Sequence, residues 1–238
     1  FSQFCGTSLW FASNGVLGEL TDTFNLGPSA LGHLTSSVQF GFISGTLVFA
    51  LLALADRFPP SRVFFWSAFL GSLANLGVVW EGNTFTTLLV LRYITGFFLA
   101  GIYPVGMKIA SDYYRQGLGT SLGYLVGALV LGTAFPHLLN IGSLGISWKS
   151  ILLVTSVLAT LGGIMIWVLP DGPFRKPMER PEFAAFFLVF QKRGFRTSAF
   201  GYFGHMWELY TFWSFVPLIL EMYLDSYPEV EASTPLWS

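Results

Sequence analysis

The sequence has little charge and almost no cysteine. Only 11% of its 238 residues are charged, against about 25% in an ordinary globular protein, and 12 basic residues face 13 acidic ones. So sparse a charge does not suit the surface of a soluble domain, and without a basic excess the chain is not expected to bind nucleic acid. The single cysteine, Cys5, excludes an internal disulfide and a thiolate metal cluster.

Catalytic and cofactor motifs are also missing. The chain has no G-x-x-x-x-G-K-[ST] phosphate loop, which argues against an ATP-driven motor encoded in this chain. It also has no HExxH zinc motif. His205 and Glu208 form a lone His-x-x-Glu pair, and neither His33 nor His137 is an obvious third ligand. An intramembrane metal-dependent hydrolase is therefore the weakest alternative, and we expect no enzyme activity, no cofactor and no metal.

Long apolar runs dominate what is present. A run of about 18 or more apolar residues predicts a transmembrane helix, because ~20 residues span a ~30 Å hydrocarbon core. Seven such runs predict an all-α membrane protein; they lie near residues 2–20, 30–54, 63–80, 85–107, 118–139, 150–169 and 200–220. The chain starts with Phe1 and ends in a polar tail after the last run, so we expect a fragment of a longer protein.

Positive charges predict the orientation of these helices, because short cytoplasmic loops accumulate Lys and Arg. With the first helix starting inside, the inner loops or their edges hold ten of the 12 basic residues. This places the stretch LADRFPPSR, residues 54–62, on the cytoplasmic face; we name it the signature loop. Pro59 and Pro60 are expected to end the preceding helix there. The linker 171–196 is predicted to be cytoplasmic, with an interfacial helix at FAAFFLVF.

The signature loop resembles the G-x-L-A-D-R-x-G-R-R loop of the major facilitator superfamily. Leu-Ala-Asp-Arg matches at 54–57, whereas Leu52 and Pro59 stand in place of the two glycines and Arg62 is displaced. Arg92-Tyr-Ile-Thr-Gly96 is similar to the R-x-x-x-G segment of helix four in that family. The stretch 201–217 looks like helix seven of bacterial facilitators related to nitrate and cyanate porters. Helix two lacks the arginine of nitrate porters, so nitrate is not the expected substrate.

This resemblance implies the facilitator fold, with a six-helix half built as a 3+3 inverted repeat and the start of a second half. The expected domains are a six-helix half at 1–170, a cytoplasmic central loop at 171–196, and helix seven with its outer loop at 197–238. The implied mechanism is alternating access, in which the halves rock about a midplane site. The resemblance assigns a conformational gating role to Asp56, Arg57 and Arg62.

Polar residues inside the predicted helices are costly in lipid and mark candidate sites. Asn14, Arg92, His205 and Glu208 lie on helices one, four and seven, which line the cavity in the resembled fold. His205 and Glu208 share one face of helix seven, and a carboxyl group in a poorly solvated position holds a proton more readily. This pair is predicted to couple transport to protons, with a structural hydrogen bond or direct substrate contact as the alternatives.

Arg92 is the candidate contact for an anionic substrate group, because its planar fork matches a carboxylate. A fixed ion pair inside the protein is an equal alternative for this residue. The other candidate substrate contacts are Asn14, Gln39, Trp10 and Tyr124. Amides and aromatics in membrane helices also serve ordinary packing, and that alternative stays open for all four.

Glycines and prolines predict how the helices pack and bend. Gly41 and Gly45 on helix two, like Gly123 and Gly127 on helix five, form small-x-x-x-small faces. Their ordinary role is helix packing, and the resemblance adds a rocking interface between the two halves. Prolines within the runs are expected to kink their helices; they are Pro104, Pro136 and Pro217.

These observations predict a multi-pass transporter of a bacterial-type inner membrane, acting as a monomer. Its expected partners are a small anionic or zwitterionic organic solute, protons and the lipid bilayer. The alternative is a receptor or scaffold that uses the same fold without transporting anything.

Overall fold

The computed structural model describes residues 1–27, 29–141, 146–175 and 188–227, and within these ranges it contains helices and no strand. The chain divides into two compact units, Phe1–Glu179 and Arg180–Ser238. The helices described in the first unit are α1 Ser2–Thr7, α2 Leu17–Phe24, α3 Ala30–Leu51, α4 Leu54–Arg57, α5 Pro60–Gly77, α6 Phe85–Leu99, α7 Tyr103–Tyr113, α8 Leu118–Ile141 and α9 Trp148–Trp167. In the second unit α10 is Arg193–Ser226.

Four stretches of the described chain are long and apolar enough to cross a membrane: Ala30–Leu51, Phe85–Tyr113, Leu118–Asn140 and Trp148–Trp167. They coincide with the predicted second, fourth, fifth and sixth spans. Their surfaces carry large apolar side chains, which a water-soluble helix would turn inward. Examples on α3, α8 and α9 are Phe40, Ile43, Leu131, Leu138, Ile164 and Met165. The helical architecture confirms the predicted all-α membrane class.

The first predicted span, 2–20, is not a single helix. Hydrogen-bonded turns at residues 8–16 separate α1 from α2; we name this segment the α1–α2 break. The physical reason is that side chains from other helices donate hydrogen bonds to carbonyl oxygens of this segment. Prediction from the apolar run alone was therefore wrong about helix continuity here.

Proline and capping residues set several other helix ends. The predicted span 85–107 is interrupted between Leu99 and Tyr103, just before Pro104, because proline donates no hydrogen bond and its ring clashes one turn back. At the start of α6, Thr84 and Thr87 form a reciprocal capping box. The helices α8 and α10 continue through Pro136 and Pro217, so neither proline ends its helix.

In the first unit, α3 packs along α6, α5 packs against α6 and α9, and α1 packs against α8 and α9. A buried apolar cluster joins the α1–α2 break, α2, α3, α6 and α9 with the end of α5. Its members are Ala12, Val16, Leu20, Leu34, Val78, Leu88, Trp148, Ile151 and Leu152. Burial of such side chains excludes lipid and water from the centre of this unit and fixes the helices around the break.

Two glycines of α3, Gly41 and Gly45, face α6. A Cβ atom at Gly41 would lie 2.0 Å from the Tyr93 carbonyl oxygen, and one at Gly45 would lie 2.3 Å from that of Phe97. Both glycines therefore allow close packing of α3 against α6 inside the first unit. They do not form the interface between the two halves that the resemblance implied for them. On α8, Gly123 and Gly127 have no atom within 4 Å of an added Cβ, so that part of the helix is open among the described residues.

The second unit contains α10, whose 34 residues give a length of about 51 Å at 1.5 Å per residue. This helix begins at Arg193, before the predicted start near 197–200, so the end of the expected central loop is already helical. Most of the predicted interfacial helix FAAFFLVF falls outside the described residues.

Candidate functional site

The α1–α2 break places backbone carbonyl groups in the interior of the first unit, where side chains from other helices bind them. In an uninterrupted helix the carbonyl oxygens of Leu9 and Trp10 would accept bonds from amides four residues later. Here both accept hydrogen bonds from the guanidinium of Arg92 on α6, the Leu9 bond being 3.2 Å long. Asn140 on α8 donates to the Gly15 carbonyl at 2.7 Å, near the other end of the break. Two side chains from different helices thus stabilise the interrupted segment.

Arg92 is completely buried. Besides the two carbonyls, its Nη1 donates to Asn75 Oδ1 at 3.4 Å, while Nε has no hydrogen-bond partner among the described residues. A buried arginine is expected to be paired or hydrogen-bonded, and backbone carbonyls and an amide provide that here. The described residues give Arg92 no carboxylate partner. The structure therefore places its charge at the break, with its atoms closed to solvent.

Asn75 extends this network to α9, and the sequence analysis did not single it out. Its Nδ2 donates to Ser156 Oγ at 2.9 Å, with longer contacts of 3.3 Å to Thr155 Oγ1 and the Leu152 carbonyl. Asn75 is fully buried, so each polar contact replaces water. Asn14 and Gln39, two other amides within predicted spans, were singled out in the sequence analysis. An amide inside the predicted span 63–80 was the signal that could have found it.

The other candidate substrate residues are only partly brought together. Asn14 Nδ2 donates to Thr35 Oγ1 at 2.8 Å, and Gln39 lies one helical turn beyond Thr35 on α3. Trp10 is fully buried and its ring lies 4.7 Å, centre to centre, from that of Phe42. These three candidates therefore lie along one side of α3.

Tyr124 stands apart from this group. It lies on α8, and 77% of it is exposed. The structure thus joins Trp10 to Arg92 through a carbonyl hydrogen bond, and Asn14 to α3 through Thr35. In the described part of the chain, Tyr124 forms no hydrogen bond with either group.

The three candidate gating residues have different surroundings. The Asp56 carboxylate forms an ion pair with Lys108 on α7 at 2.9 Å, and Lys108 also lies 3.7 Å from Asp112. Arg57 is exposed. Arg62 lies over the Trp167 ring, with its guanidinium carbon 6.0 Å from the ring centre. Asp56 is thus connected to the end of the fourth predicted span, whereas Arg62 contacts the aromatic end of the sixth.

In the second unit, His205 and Glu208 lie three residues apart on α10 and are exposed. Three residues along a helix bring side chains to one face, so the pair retains the proximity predicted from sequence. Within the described ranges, no group of three or more His, Cys, Asp or Glu residues is placed to hold a metal ion. The metal-dependent hydrolase alternative therefore finds no support from geometry.

Comparison with known proteins agrees with this architecture. Residues 1–236 match the family model of the Major Facilitator Superfamily. The 4-hydroxybenzoate transporter PcaK of Pseudomonas aeruginosa is 26% identical over 168 residues, which cover 66% of this chain and 35% of that protein. The inner membrane transport protein YnfM of Escherichia coli is 26% identical over 208 residues, or 79% of this chain and 46% of that protein.

The chain spans 26% to 46% of the length of the curated relatives it matches. Its family match nevertheless extends across both compact units. Four helices that can span a membrane indicate a multi-pass membrane protein. The family match over nearly every residue and the relatives named as transporters point to a non-enzymatic protein. The chain belongs to the Major Facilitator Superfamily.

Proposed function

We propose that the protein containing this chain is a secondary active transporter that moves a small organic metabolite across a bacterial inner membrane by alternating access. The observation that carries this proposal is the family match over residues 1–236. The names of the relatives support it, because they include a 4-hydroxybenzoate transporter and an inner membrane transport protein. The proposed domains are the six-helix half at 1–170, the central loop at 171–196 and the start of a second half at 197–238.

The proposed coupling ion is a proton carried by Glu208 with His205. Glu208 lies 15 positions after Arg193, about 23 Å along a helix of about 51 Å, so it is near the middle of α10. A carboxyl group at mid-membrane depth is costly when charged, which favours loading and release of a proton as its surroundings change. His205 lies on the same face and can form a hydrogen bond with Glu208 when one of the two side chains carries the shared proton.

The proposed solute is small and anionic or zwitterionic. Arg92 supports this preference through its electrostatic field, because its charge has no carboxylate partner in the described part of the chain. Its buried contacts to the break favour an effect on the position of Trp10 over direct contact with solute. Asn14 and Gln39 on the neighbouring surface, and Tyr124 on α8, are the proposed contacts to the solute itself.

The test is uptake by the full-length protein in proteoliposomes with an imposed proton gradient, screened across small carboxylic and zwitterionic solutes. Glu208→Gln is expected to abolish proton-driven accumulation while leaving downhill exchange measurable, because the variant cannot release a proton. Asp22→Asn, which alters an exposed acidic residue at the opposite end of the chain, is the matched control and should behave as wild type.

Two results would contradict the proposal at different levels. Retained proton-driven accumulation by Glu208→Gln would reject proton coupling at this residue. Absence of uptake of every solute by a correctly folded wild-type protein would favour a receptor or scaffold on the same fold.

A further inference from the structure

The segment that follows α9 returns along the end of α7. We name residues 169–175 the strap. The Phe174 amide donates to the Asp112 carbonyl oxygen at 3.0 Å, and the Tyr113 hydroxyl donates to the Pro170 carbonyl. A Cβ at Gly172 would lie 2.4 Å from the Asp112 carbonyl oxygen, so only glycine allows this approach without a shift. The strap is thus fixed to the C-terminal turn of α7.

A cation–π contact adds a further connection. The Arg115 guanidinium carbon lies 4.5 Å from the centre of the Phe174 ring. Together with the backbone bonds, this contact holds both the middle and the end of the strap against residues 112–115.

Arg175 at the end of the strap connects it to the signature loop. Its Nη2 donates to the carbonyl oxygens of Asp56 and Phe58, at 3.1 and 3.0 Å, and its Nη1 pairs with the Asp171 carboxylate. Only 19% of the Arg175 side chain is exposed. One planar guanidinium therefore binds a carboxylate and two carbonyls at once, an arrangement that the single ammonium of lysine cannot reproduce.

The signature loop needs such a partner because its own helix is very short. The four residues of α4 follow Ala53, whose φ of 47° is in the left-handed region, and a helix end leaves carbonyl oxygens without intrahelical donors. Arg175 provides donors for two of these carbonyls. Lys108 binds the Asp56 carboxylate from α7. Asp56 is therefore held through its backbone by the strap and through its side chain by α7.

We propose that Arg175 is a positioning residue that holds the signature loop in the conformation in which Asp56 and Arg57 act as the gate. The strap is the last described stretch of the first unit, and Arg175 joins it to the signature loop. Release of the Arg175 contacts would free the carbonyls of the loop and let its residues separate from α7. This inference rests on the proposed transport function, because a gate has meaning only in a transporter.

The experiment uses Ser61→Cys as a reporter in the full-length protein, with other reactive cysteines replaced. Ser61 is 7% exposed and lies beside Asp112 and the strap residues Pro170 and Gly172, so its thiol reacts with a maleimide only when the strap moves away. Arg175→Gln is expected to raise the labelling rate about tenfold, the equivalent of about 1.4 kcal/mol. Arg175→Lys should give an intermediate rate.

Arg193→Gln is the control, because Arg193 is an exposed arginine that begins α10. A second variant, Gly172→Ala, moves the strap by a clash with Asp112 without touching Arg175, and it should also raise labelling. If Arg175→Gln labels at the rate of the Arg193→Gln control, Arg175 does not hold the loop and the inference is overturned, whether or not Gly172→Ala labels faster.

Transport measurements separate positioning of the gate from plain structural support. Arg175→Gln is expected to change Vmax of solute exchange at least threefold with KM unchanged, because the solute contacts are intact. Faster labelling with an unchanged Vmax would overturn the gating role. If wild type transports none of the solutes tested, the proposed function fails, whereas the labelling result still decides whether the strap holds the loop.

Discussion

Replacement of Arg92 by leucine tests the central network of the first unit. The change removes the donors to the carbonyls of Leu9 and Trp10 and to the side chain of Asn75. All three residues are fully buried, and a buried acceptor left without a donor costs about 1–3 kcal/mol. Allowing for partial relaxation of the break, we expect a loss of about 3–6 kcal/mol in stability.

The assay is heat denaturation of the purified full-length protein in one detergent. Arg92→Leu should lower the midpoint clearly, and Arg92→Lys should lower it less, because lysine keeps a donor for the carbonyls but loses the bidentate geometry. Arg196→Leu is the control, since Arg196 is exposed on α10. A double-mutant cycle with Asn75→Leu should show a coupling of about 1 kcal/mol or more, because the two side chains are hydrogen-bonded.

One result would refute this reasoning. If Arg92→Leu kept the stability of the control to within about 0.5 kcal/mol, the usual range for surface substitutions, the carbonyl contacts would not hold the break. A loss of solute affinity with unchanged stability would instead assign Arg92 to direct binding of an anionic group.

Three further outcomes are expected. Gly96→Ala should destabilise the protein by several kcal/mol, because its Cβ would lie 1.9 Å from a carbonyl oxygen of α3, whereas Gly123→Ala should change stability by less than about 0.5 kcal/mol; heat denaturation of both checks this. The hydrogen bond and charge of Lys149 lower the pKa of Glu81. The stabilisation from this pair is therefore present above the ordinary glutamate pKa of 4.5 and is lost as the pH falls below it. The stability difference between wild type and Glu81→Gln should shrink over that range, and a constant difference would contradict the pairing. Ala53→Gly should raise stability by about 1 kcal/mol by relieving the left-handed backbone, and a loss in chemical or heat denaturation would contradict that origin.

Most of the long helices could be predicted from the sequence because they depend on local properties. The predicted spans 30–54 and 150–169 correspond to α3 at Ala30–Leu51 and α9 at Trp148–Trp167. Apolar length is a property of the run itself, so it requires no knowledge of the partners. The predicted span 63–80 likewise corresponds to α5 at Pro60–Gly77, with the prolines at its start rather than before it.

What could not be predicted depends on contacts between distant parts of the chain. The α1–α2 break is stabilised by Arg92, more than 80 residues away in sequence, and no hydropathy pattern of residues 2–20 contains that information. The partner of a glycine face is similarly invisible, so Gly41 and Gly45 were given a possible role between halves. Asn75 is an amide inside a predicted span, like Asn14 and Gln39, but its connection to Arg92 and to α9 depends on residues distant in sequence.

The close approach of α3 and α6 has a mechanical consequence. With no side chain between Gly41 and Tyr93, or between Gly96 and Val38, the two backbones leave no room for one helix to slip past the other. Ser37 also donates to the Leu89 carbonyl at 2.6 Å, which ties the same pair together at a third position. In the proposed alternating-access cycle, α3 and α6 are expected to move as one rigid body, so distances between spin labels on them should stay constant while other distances change.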